Sequence, residues 1–311
     1  MNVIVFRVGS LGDSIVALDV IYTIKINNKN SKIYILCNRG QKDSNETESV
    51  DSVLNTFNLI DGSFVYSNPI DFLKFKNYLR NKNITKIYYL MPKRNFLQKF
   101  RDYIVFKLMG LRIEGIGLLE TDENKYTKNY LYEAESERLM RKIGHLERHK
   151  LNYKIFGNKK KGNVITICTG TRHIINDWGL ENWTKLLQII LKKQESAIIN
   201  IIGGGWDVER ANCLKKIQPD SINNHCSKLS ILDSVELISN SNVYIGHDSG
   251  AMHLATLTDT PIIALFSHKN KPGIWYPQCE SVTILRNKVI RNISPWLVCE
   301  IALGMSNSRD V

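Results

Sequence analysis

Two glycine-containing loops hold the residues that could do chemistry, and the first reads Gly9-Ser10-Leu11-Gly12-Asp13. Glycines let a backbone turn sharply and approach a ligand, and the helix predicted after this loop would present unpaired N–H groups. The candidate substrate contacts are therefore Gly9, Ser10 and Gly12. Asp13 is either a helix-capping or first-turn acid, which the helix dipole favours, or a general base at the carboxyl end of a strand.

The second loop spans residues 246–253 and follows a predicted strand over 243–245. An Asp or Ser side chain could cap the next helix, whose free amides could hold a diphosphate at the positive end of the helix. His253 lies about one turn inside this helix, where it either packs against the rest of the domain or donates a hydrogen bond to the same phosphates. The candidate diphosphate contacts are Asp248, Ser249, Gly250, Ala251 and His253.

Two shorter features give weaker signals. The glycine turn at residues 203–205 is either a flexible connection or an opening for a nucleotide base and ribose, with Asp207 or Glu209 accepting hydrogen bonds from hydroxyl groups. Thr169 and Arg172 come just after a predicted strand and are either phosphate contacts or ordinary surface residues. These residues extend the candidate substrate site of the second half of the chain.

The elements that must position these loops alternate between strands and helices. In the first half, apolar runs predict strands over 3–8, 32–37, 63–66 and 86–91, and helical spacing follows the first loop and covers 71–81, 95–108 and 133–145. In the second half, the predicted strands cover 164–168, 197–202, 243–245, 261–266 and 281–286, and the helices cover 180–192, 208–217, 232–239, 250–257 and 295–302. This alternation predicts parallel sheets with helices on both faces.

A polar, basic and glycine-containing segment at 156–162 divides the chain into two predicted domains, residues 1–157 and 163–311. A chain of 311 residues fits two domains of about 150 residues each. Two Rossmann-like halves predict a central ligand cleft between them, at the carboxyl ends of the strands. The terminal helix is a candidate to pack back on the first domain. Trp178 and Trp183 are expected to lie in the core.

The bulk composition is that of a folded protein, with 43% hydrophobic and 23% charged residues. The net charge of +12 either reflects composition alone or attracts an anionic partner, and nucleic acid is a minor hypothesis because no basic arm with interleaved aromatics is present. Six cysteines without zinc-like spacing predict reduced thiols and no metal site. The absence of a signal-peptide pattern and of an 18-residue apolar run favours a cytoplasmic protein.

Four segments together resemble the heptosyltransferase-like glycosyltransferases, family nine of the sequence classification. They read V-F-R-V-G-S-L-G-D-S, N-D-W-G-L-E-N-W, H-D-S-G-A-M-H-L-A and T-P-I-I-A-L-F, and they run nearly from end to end of the chain. The block D-S-G-x-x-H-L-A is quite specific, and the G-D loop is less so. The resemblance implies a bacterial enzyme of the GT-B fold, in which two Rossmann-like domains with parallel sheets face a central cleft.

The resemblance also implies an activity: inverting transfer of a sugar, usually heptose from ADP-heptose, to a lipopolysaccharide-type acceptor by single displacement, without metal or cofactor. The donor would bind mainly to the C-terminal domain and the acceptor to the N-terminal domain. Residue by residue, Asp13 matches the proposed catalytic base, Asp248, Ser249 and Gly250 match the phosphate-binding loop, and His253 matches the histidine near the diphosphate. Two alternatives stay open, a GT-B-like sugar-nucleotide epimerase and a non-catalytic saccharide-binding relative.

Two departures from the family pattern bear on the donor. Asn176 stands two residues before Trp178, where some lipopolysaccharide heptosyltransferases have a lysine, and residues 267–272 read S-H-K-N-K-P where G-P-T-D-P is usual. One charge contact to a phosphate or acceptor is therefore missing from the pattern, and the donor sugar is left open.

The acceptor implied by the resemblance is an anionic lipid-linked saccharide, which predicts peripheral contact with the inner face of the inner membrane. Four basic residues follow the predicted strand 86–91 and are candidates to line the acceptor side of the first domain: Lys93, Arg94, Lys99 and Arg101. Their attraction to an anionic acceptor would be screened by salt.

Overall fold

The computed structural model describes residues 1–38, 49–66, 72–127, 131–151, 162–171 and 173–307. The chain divides into two compact units, Met1–Leu151 and Asn152–Val311. The predicted connector at 156–162 lies outside the described residues except for Gly162. Each unit is built around its own parallel sheet.

The N-terminal unit holds a five-stranded parallel sheet in the order β3-β2-β1-β4-β5. The strands are β1 Asn2–Phe6, β2 Ile33–Asn38, β3 Gly62–Tyr66, β4 Ile84–Tyr89 and β5 Arg112–Glu114. The central strand β1 is almost fully buried along its apolar run, as a parallel strand covered on both faces must be. The first glycine-containing loop follows the carboxyl end of β1.

The helices of this unit are α1 Leu11–Ile15, α2 Leu18–Asn27, α3 Val50–Thr56, α4 Phe72–Asn81, α5 Phe96–Leu108 and α6 Glu135–Lys142. Helices α4 and α5 cover the same face of the sheet, because Phe75 and Leu79 of α4 join Phe106 of α5 in one buried cluster with Phe6 of β1. Five of the thirteen buried residues of this cluster are aromatic, and Phe6 meets Phe106 edge to face with ring centroids 5.4 Å apart.

The C-terminal unit holds a six-stranded parallel sheet in the order β11-β10-β9-β6-β7-β8. The strands are β6 Val164–Cys168, β7 Ile198–Ile202, β8 Ile222–Asn224, β9 Val243–His247, β10 Ile262–Phe266 and β11 Val282–Arg286. Strands β9, β6 and β7 are neighbours at the centre of the sheet. The loops that follow these three strands therefore leave the sheet at the same edge.

The helices of this unit are α7 Leu180–Lys193, α8 Val208–Lys215, α9 Ile231–Ser239, α10 Gly250–Ala255 and α11 Pro295–Asn307. The terminal helix α11 packs against α7 and β9 of its own unit. Trp178 and Trp183 are fully buried and meet edge to face at 4.9 Å, which confirms the prediction that both belong to the core.

Sequence periodicity missed three short elements: α3, β5 and β8. The two strands have three residues each, too few to show an apolar pattern. The helix predicted directly after the first loop is interrupted at Val16 and Ala17, which separate α1 from α2. In the described part of the chain, no helix combines the length and the apolar character needed to cross a membrane.

Candidate functional site

The Asp13 loop is a closed hydrogen-bonded turn at the start of α1. The Asp13 carboxylate oxygen Oδ2 accepts hydrogen bonds from the Ser10 backbone N–H and from the Ser10 hydroxyl, both at 2.9 Å. Gly9 has φ +147°, and a Cβ on it would lie 2.4 Å from Asp13 Cβ, so only glycine leaves room for the aspartate. Asp13 therefore occupies the helix-capping, first-turn position that was one of its two predicted roles. Its side chain is 25% exposed and keeps access to solvent.

A buried charged cluster lies behind this loop. Arg7 directly follows β1, and its guanidinium is fully buried. The guanidinium contacts the Asp13 backbone oxygen at 3.1 Å and Asp13 Oδ1 at 3.5 Å. Its other arm reaches Glu135 Oε1 at 3.5 Å, and Glu135 receives two 2.7 Å hydrogen bonds from the buried Arg138. Burial lowers the pKa of Arg7, whereas the carboxylates of Glu135 and Asp13 oppose that shift. The cluster fixes the position of Asp13 relative to the sheet.

In the C-terminal unit the loops after β6 and β7 meet through one aspartate. A Cβ on Gly170 would lie 2.0 Å from Asp207 Oδ1, and a Cβ on Gly203 would lie 2.3 Å from Asp207 Oδ2. The same oxygen Oδ2 accepts a hydrogen bond from the Gly204 N–H at 3.0 Å. The two glycines therefore form a cradle that Asp207 fills. Glu209, by contrast, is an exposed residue on α8.

Thr169 occupies the base of this loop cluster. It is fully buried, and its carbonyl oxygen accepts a 2.7 Å hydrogen bond from Arg210. Arg210 also makes a two-pronged ion pair with Asp177, at 2.9 and 3.0 Å, which lowers the Asp177 pKa against the opposing effect of burial. Among the residues that the structure describes, the buried Thr169 hydroxyl has no hydrogen-bonding partner. Arg172, the other candidate in this loop, lies outside the described residues.

His247 ties the end of β9 to this region. It is fully buried, and burial lowers its pKa to about 4. The Trp178 backbone N–H donates to His247 Nε2 at 3.0 Å, so the ring proton is assigned to Nδ1, which lies 3.5 Å from the Gly170 carbonyl oxygen. A neutral imidazole therefore connects β9, the loop after β6 and the chain before α7.

The second loop continues from His247 into α10. Ser249 is the N-cap residue with extended backbone, and Gly250 and Ala251 open the helix. The Asp248 carboxylate accepts a hydrogen bond from Asn270. His253 is buried, with its ring 6.1 Å from the ring of Trp275 in an edge-to-face contact. The register of β6 with β9 pairs Cys168 with Gly246, so this loop and the Thr169 loop are neighbours.

The two departures from the family pattern contact each other. Asn176 is buried and its side-chain oxygen accepts a hydrogen bond from the Ser267 hydroxyl, which is buried as well. Asn270 of the same segment reaches Asp248, as described above. The altered segment 267–272 therefore packs against both Asn176 and the second loop. Both side chains at the contact between Asn176 and Ser267 are uncharged.

Sequence reasoning missed four features of these surroundings: the Arg7 cluster, the His247 link, the Arg210–Asp177 ion pair and the exposure of Trp206. Trp206 follows the glycine turn and is 78% exposed, which is unusual for so large an apolar side chain. The sequence did contain a signal, because Trp206 directly follows three glycines at the end of a predicted strand, and tryptophan is enriched where proteins contact partners.

The four basic candidates on the N-terminal unit have different environments. Lys99 is 2% exposed and donates to the carbonyl oxygens of Gly117 and Glu120, at 2.6 and 2.7 Å, so the prediction that it lines a surface is wrong. Lys93 pairs with Glu123 on the surface, and Arg101 pairs with Asp102 at 2.6 Å. The Arg94 backbone N–H donates to Asp122 at 3.2 Å.

Comparisons with known proteins agree on one family. The family model "Glycosyltransferase family 9 (heptosyltransferase)" matches residues 123–296. Lipooligosaccharide heptosyltransferase 2 of Haemophilus influenzae is 24% identical over 128 residues, which make up 40% of this chain and 36% of that relative. The match thus spans little more than a third of the relative's length.

Two solved structures show the same architecture. The E. coli ADP-heptose lps heptosyltransferase II has a TM-score of 0.72 at 16% identity and covers 100% of both chains. The E. coli heptosyltransferase WaaC with ADP has a TM-score of 0.67 at 14% identity and covers 98% of this chain and 100% of that one. These likenesses confirm the predicted GT-B fold class. Because the family model covers more than half of the chain, the protein belongs to glycosyltransferase family 9, the heptosyltransferase family.

Proposed function

We propose that this protein transfers a heptose from ADP-heptose to a saccharide acceptor of the lipopolysaccharide type, with inversion at the anomeric carbon. Family membership supports glycosyl transfer, and the names of the similar proteins support the heptose and the adenine nucleotide. The single structural observation behind the proposal is that the loops after β6, β7 and β9 leave one edge of the C-terminal sheet as neighbours. Nucleotides bind at such an edge in open α/β sheets.

The donor side of the proposal assigns the diphosphate to the start of α10 and to the Thr169 loop. The amides of Gly250 and Ala251 lie in the first turn of α10, where N–H groups lack helical partners. The unpartnered Thr169 hydroxyl lies in the neighbouring loop and offers a further polar group. Buried hydroxyls without a partner are rare, because leaving one unsatisfied costs about 1–3 kcal/mol. His253 would donate its hydrogen bond to the same diphosphate.

Beyond the phosphates, the proposal assigns the base and ribose to the glycine turn after β7. Glu209 is exposed there and could accept from a hydroxyl group, while the neighbouring Asp207 lies in the glycine cradle. Trp206 offers an exposed ring against which a base could stack.

The acceptor side of the proposal rests on Asp13. Its Oδ2 is occupied by two hydrogen bonds from Ser10, while Oδ1 has the longer 3.5 Å contact to Arg7. Oδ1 would take the proton from an acceptor hydroxyl as that oxygen bonds to the anomeric carbon of the donor. The bond from the anomeric carbon to the diphosphate breaks in the same step, and ADP leaves with the electron pair. Gly9, Ser10 and Gly12 form the surrounding loop that would contact the acceptor.

The neutral contact between Asn176 and Ser267 bears on how the leaving group is stabilised. Without a lysine at position 176, the charge that develops on the diphosphate would be met by the α10 amides and by His253. More of this stabilisation would therefore come from the first turn of α10 than in the common family pattern.

The test combines binding and turnover. Calorimetry with ADP, UDP and GDP is expected to show tightest binding of ADP, and incubation with ADP-heptose and a heptose-free lipopolysaccharide core is expected to release ADP only when the acceptor is present. Donor turnover without acceptor would favour a sugar-nucleotide epimerase. Nucleotide-sugar binding with no release of ADP under any condition would favour a non-catalytic saccharide-binding protein, and selective binding of UDP would overturn the assigned donor.

A further inference from the structure

One face of the C-terminal sheet carries polar side chains near the candidate diphosphate loop. Tyr244 of β9 and Cys168 of β6 lie on this face, whereas Ile245 and Ile167 belong to the apolar core on the opposite face. The Tyr244 side chain is fully buried, and its hydroxyl has no hydrogen-bonding partner among the residues that the structure describes. Buried hydroxyl groups are mostly paired in proteins, which makes this one exceptional.

Gly246 provides the space for this hydroxyl. It lies two residues after Tyr244 on β9 and therefore on the same face of the sheet. A Cβ at position 246 would lie 2.5 Å from the Tyr244 hydroxyl oxygen, which is too close unless the ring moves. A glycine inside a strand weakens the strand, and close approach of another group is a common reason for it. The Tyr244 ring thus extends along β9 toward its carboxyl end, where the candidate diphosphate loop begins.

The Ser249 hydroxyl and the Cys168 thiol lie close to the Tyr244 hydroxyl. Burial raises the pKa of Tyr244 well above its usual value, and the neighbouring Ser249 hydroxyl opposes this shift. Burial likewise raises the pKa of Cys168 to about 12, with Ser249 and Tyr244 acting in the opposite direction. Tyr244 therefore keeps its proton and can donate a hydrogen bond, while Cys168 is a neutral thiol and a weak hydrogen-bonding group.

The Ser249 hydroxyl oxygen is buried as well, and it lacks a hydrogen-bonding partner among the described residues. A serine at the N-cap usually accepts a hydrogen bond from the N–H two or three residues further on, yet no such capping bond forms at the start of α10. A hydroxyl group has one proton and two lone pairs, so it can accept one hydrogen bond while it donates another. Ser249 can therefore accept from Tyr244 and donate to a ligand at the same time.

We propose that Tyr244 is a positioning residue of the diphosphate site, an inference that rests on the proposed function. When the nucleotide binds, the Tyr244 hydroxyl donates to Ser249 Oγ, and Ser249 donates its own proton to a phosphate oxygen. Both unpartnered hydroxyls are satisfied by the binding of one anion. Hydrogen bonds in a chain polarise one another, so the Tyr244 hydroxyl strengthens the bond from Ser249 to the charged phosphate. Tyr244 acts through Ser249 and does not itself touch the nucleotide.

The experiment is calorimetry of ADP binding to the full chain, comparing the wild type with Tyr244→Phe, which removes only the hydroxyl. The variant is expected to bind ADP about three- to tenfold more weakly, the usual effect of one lost hydrogen bond. The melting midpoint of the nucleotide-free variant should stay unchanged or rise, because an unpartnered hydroxyl leaves the interior. A lower melting midpoint with unchanged ADP affinity would reduce Tyr244 to a packing residue and overturn the proposal.

The matched control is Tyr88→Phe on the N-terminal unit. Tyr88 is also fully buried, but its hydroxyl accepts a hydrogen bond from Lys86 Nζ at 2.8 Å. Because this bond would be lost, the control should melt at a lower temperature than the wild type and should bind ADP within twofold of the wild-type affinity. The two substitutions are thus expected to have opposite effects on stability and on binding.

A double-mutant cycle with Ser249→Ala tests whether Tyr244 acts through Ser249. Adding Tyr244→Phe to Ser249→Ala should change ADP affinity by less than twofold, because the hydroxyl that Tyr244 orients is already gone. Fully additive losses would contradict the relay through Ser249.

The wild-type measurement separates this inference from the proposed function. A wild type that binds no nucleoside diphosphate would overturn the proposed function, and the inference with it. Clear ADP binding that is equal in the wild type and in Tyr244→Phe would overturn the inference alone.

Discussion

The two loops that hold the candidate site residues rest on opposite kinds of buried support. Behind the Asp13 loop lies a cluster of buried charges, formed by Arg7, Glu135 and Arg138. Behind the loop that follows β9 lie neutral groups, in which the imidazole of His247 joins the backbone N–H of Trp178. The first support is held together by ion pairs, and the second by the contacts of the His247 ring with the Trp178 N–H and the Gly170 carbonyl oxygen and by aromatic packing.

This difference matches what each loop would have to do in the proposed reaction. A carboxylate that takes a proton needs a fixed position, and buried ion pairs give direction as well as attraction. A diphosphate brings its own negative charge, so the loop that receives it needs free amides on a neutral support. The following predictions test whether the two loops differ in this way, in order of decreasing expected effect.

Asp13→Asn should lower turnover by about two to four orders of magnitude, the usual effect of a lost acid or base group, and should leave ADP affinity near the wild-type value. The matched control is Asp233→Asn. Asp233 accepts hydrogen bonds from the Ser230 N–H and hydroxyl at the start of α9, as Asp13 does from Ser10. The measurement is steady-state release of ADP, with calorimetry for binding.

Both substitutions weaken the same capping arrangement, at a cost of about 0.5–2 kcal/mol in the free energy of unfolding. A comparable drop in turnover for both variants would reduce Asp13 to a capping residue. Wild-type turnover in Asp13→Asn would have the same consequence and would remove the distinction between the two loops.

Arg7→Gln should lower the free energy of unfolding of the N-terminal unit by about 3–5 kcal/mol, because it removes one cation from a buried cluster that also contains two carboxylates. Arg112→Gln is the control, since Arg112 forms its ion pair with Glu114 while 78% exposed. Urea unfolding followed by circular dichroism measures both. An equally small loss of unfolding free energy in Arg7→Gln and Arg112→Gln would show that the buried charges behind the Asp13 loop are not essential to its stability.

The neutral state of His247 predicts a pH effect in the C-terminal unit. The unfolded imidazole takes up a proton near pH 6.5, whereas the folded one stays neutral until about pH 4. The free energy of unfolding should therefore fall as the pH is lowered through this window, by on the order of 3 kcal/mol in total. His247→Gln keeps an acceptor for the Trp178 N–H and should show a shallower slope between pH 6.5 and 4. Parallel pH profiles for wild type and variant would contradict the buried neutral assignment.

His253→Ala should weaken ADP binding by about 1–3 kcal/mol, the typical contribution of a hydrogen bond to a charged group. His145→Ala is a suitable control, because His145 is half-exposed on the N-terminal unit. Calorimetry on the folded variants measures their affinity for ADP. Unchanged ADP affinity in His253→Ala would leave this histidine with a packing role beside Trp275.

Sequence patterns predicted the alternation of strands and helices and both glycine-containing loops, because apolar periodicity and glycine turns are local signals. They did not predict the partners of Arg7, which lies in the motif V-F-R-V-G and meets Glu135 about 130 residues later. A charged residue at a strand end reads as exposed when its partner is distant in sequence. Lys99 was misplaced for the same reason, since the carbonyl oxygens that bind it come from another loop.

The role of His247 was hidden for a different reason. It stands in the loop motif H-D-S-G, which does not indicate whether the histidine is buried, and its contacts come from Trp178 and Trp183 of a separate segment. Glu209 and Asp207 are equivalent as acceptors in the sequence, and only the cradle of Gly170 and Gly203 distinguishes their positions. Local patterns locate loops, whereas tertiary contacts decide which side chains of a loop are free.

The glycine cradle around Asp207 also constrains how this protein can change in evolution. Any side chain at position 170 or 203 would overlap the Asp207 carboxylate, so these glycines are tied to the aspartate although 33 residues separate them from each other. Alanine at either glycine should be harmful beside Asp207 and better tolerated once a smaller residue stands at 207. Positions 170, 203 and 207 thus form one epistatic group, in which the order of substitutions decides whether a lineage can pass through them.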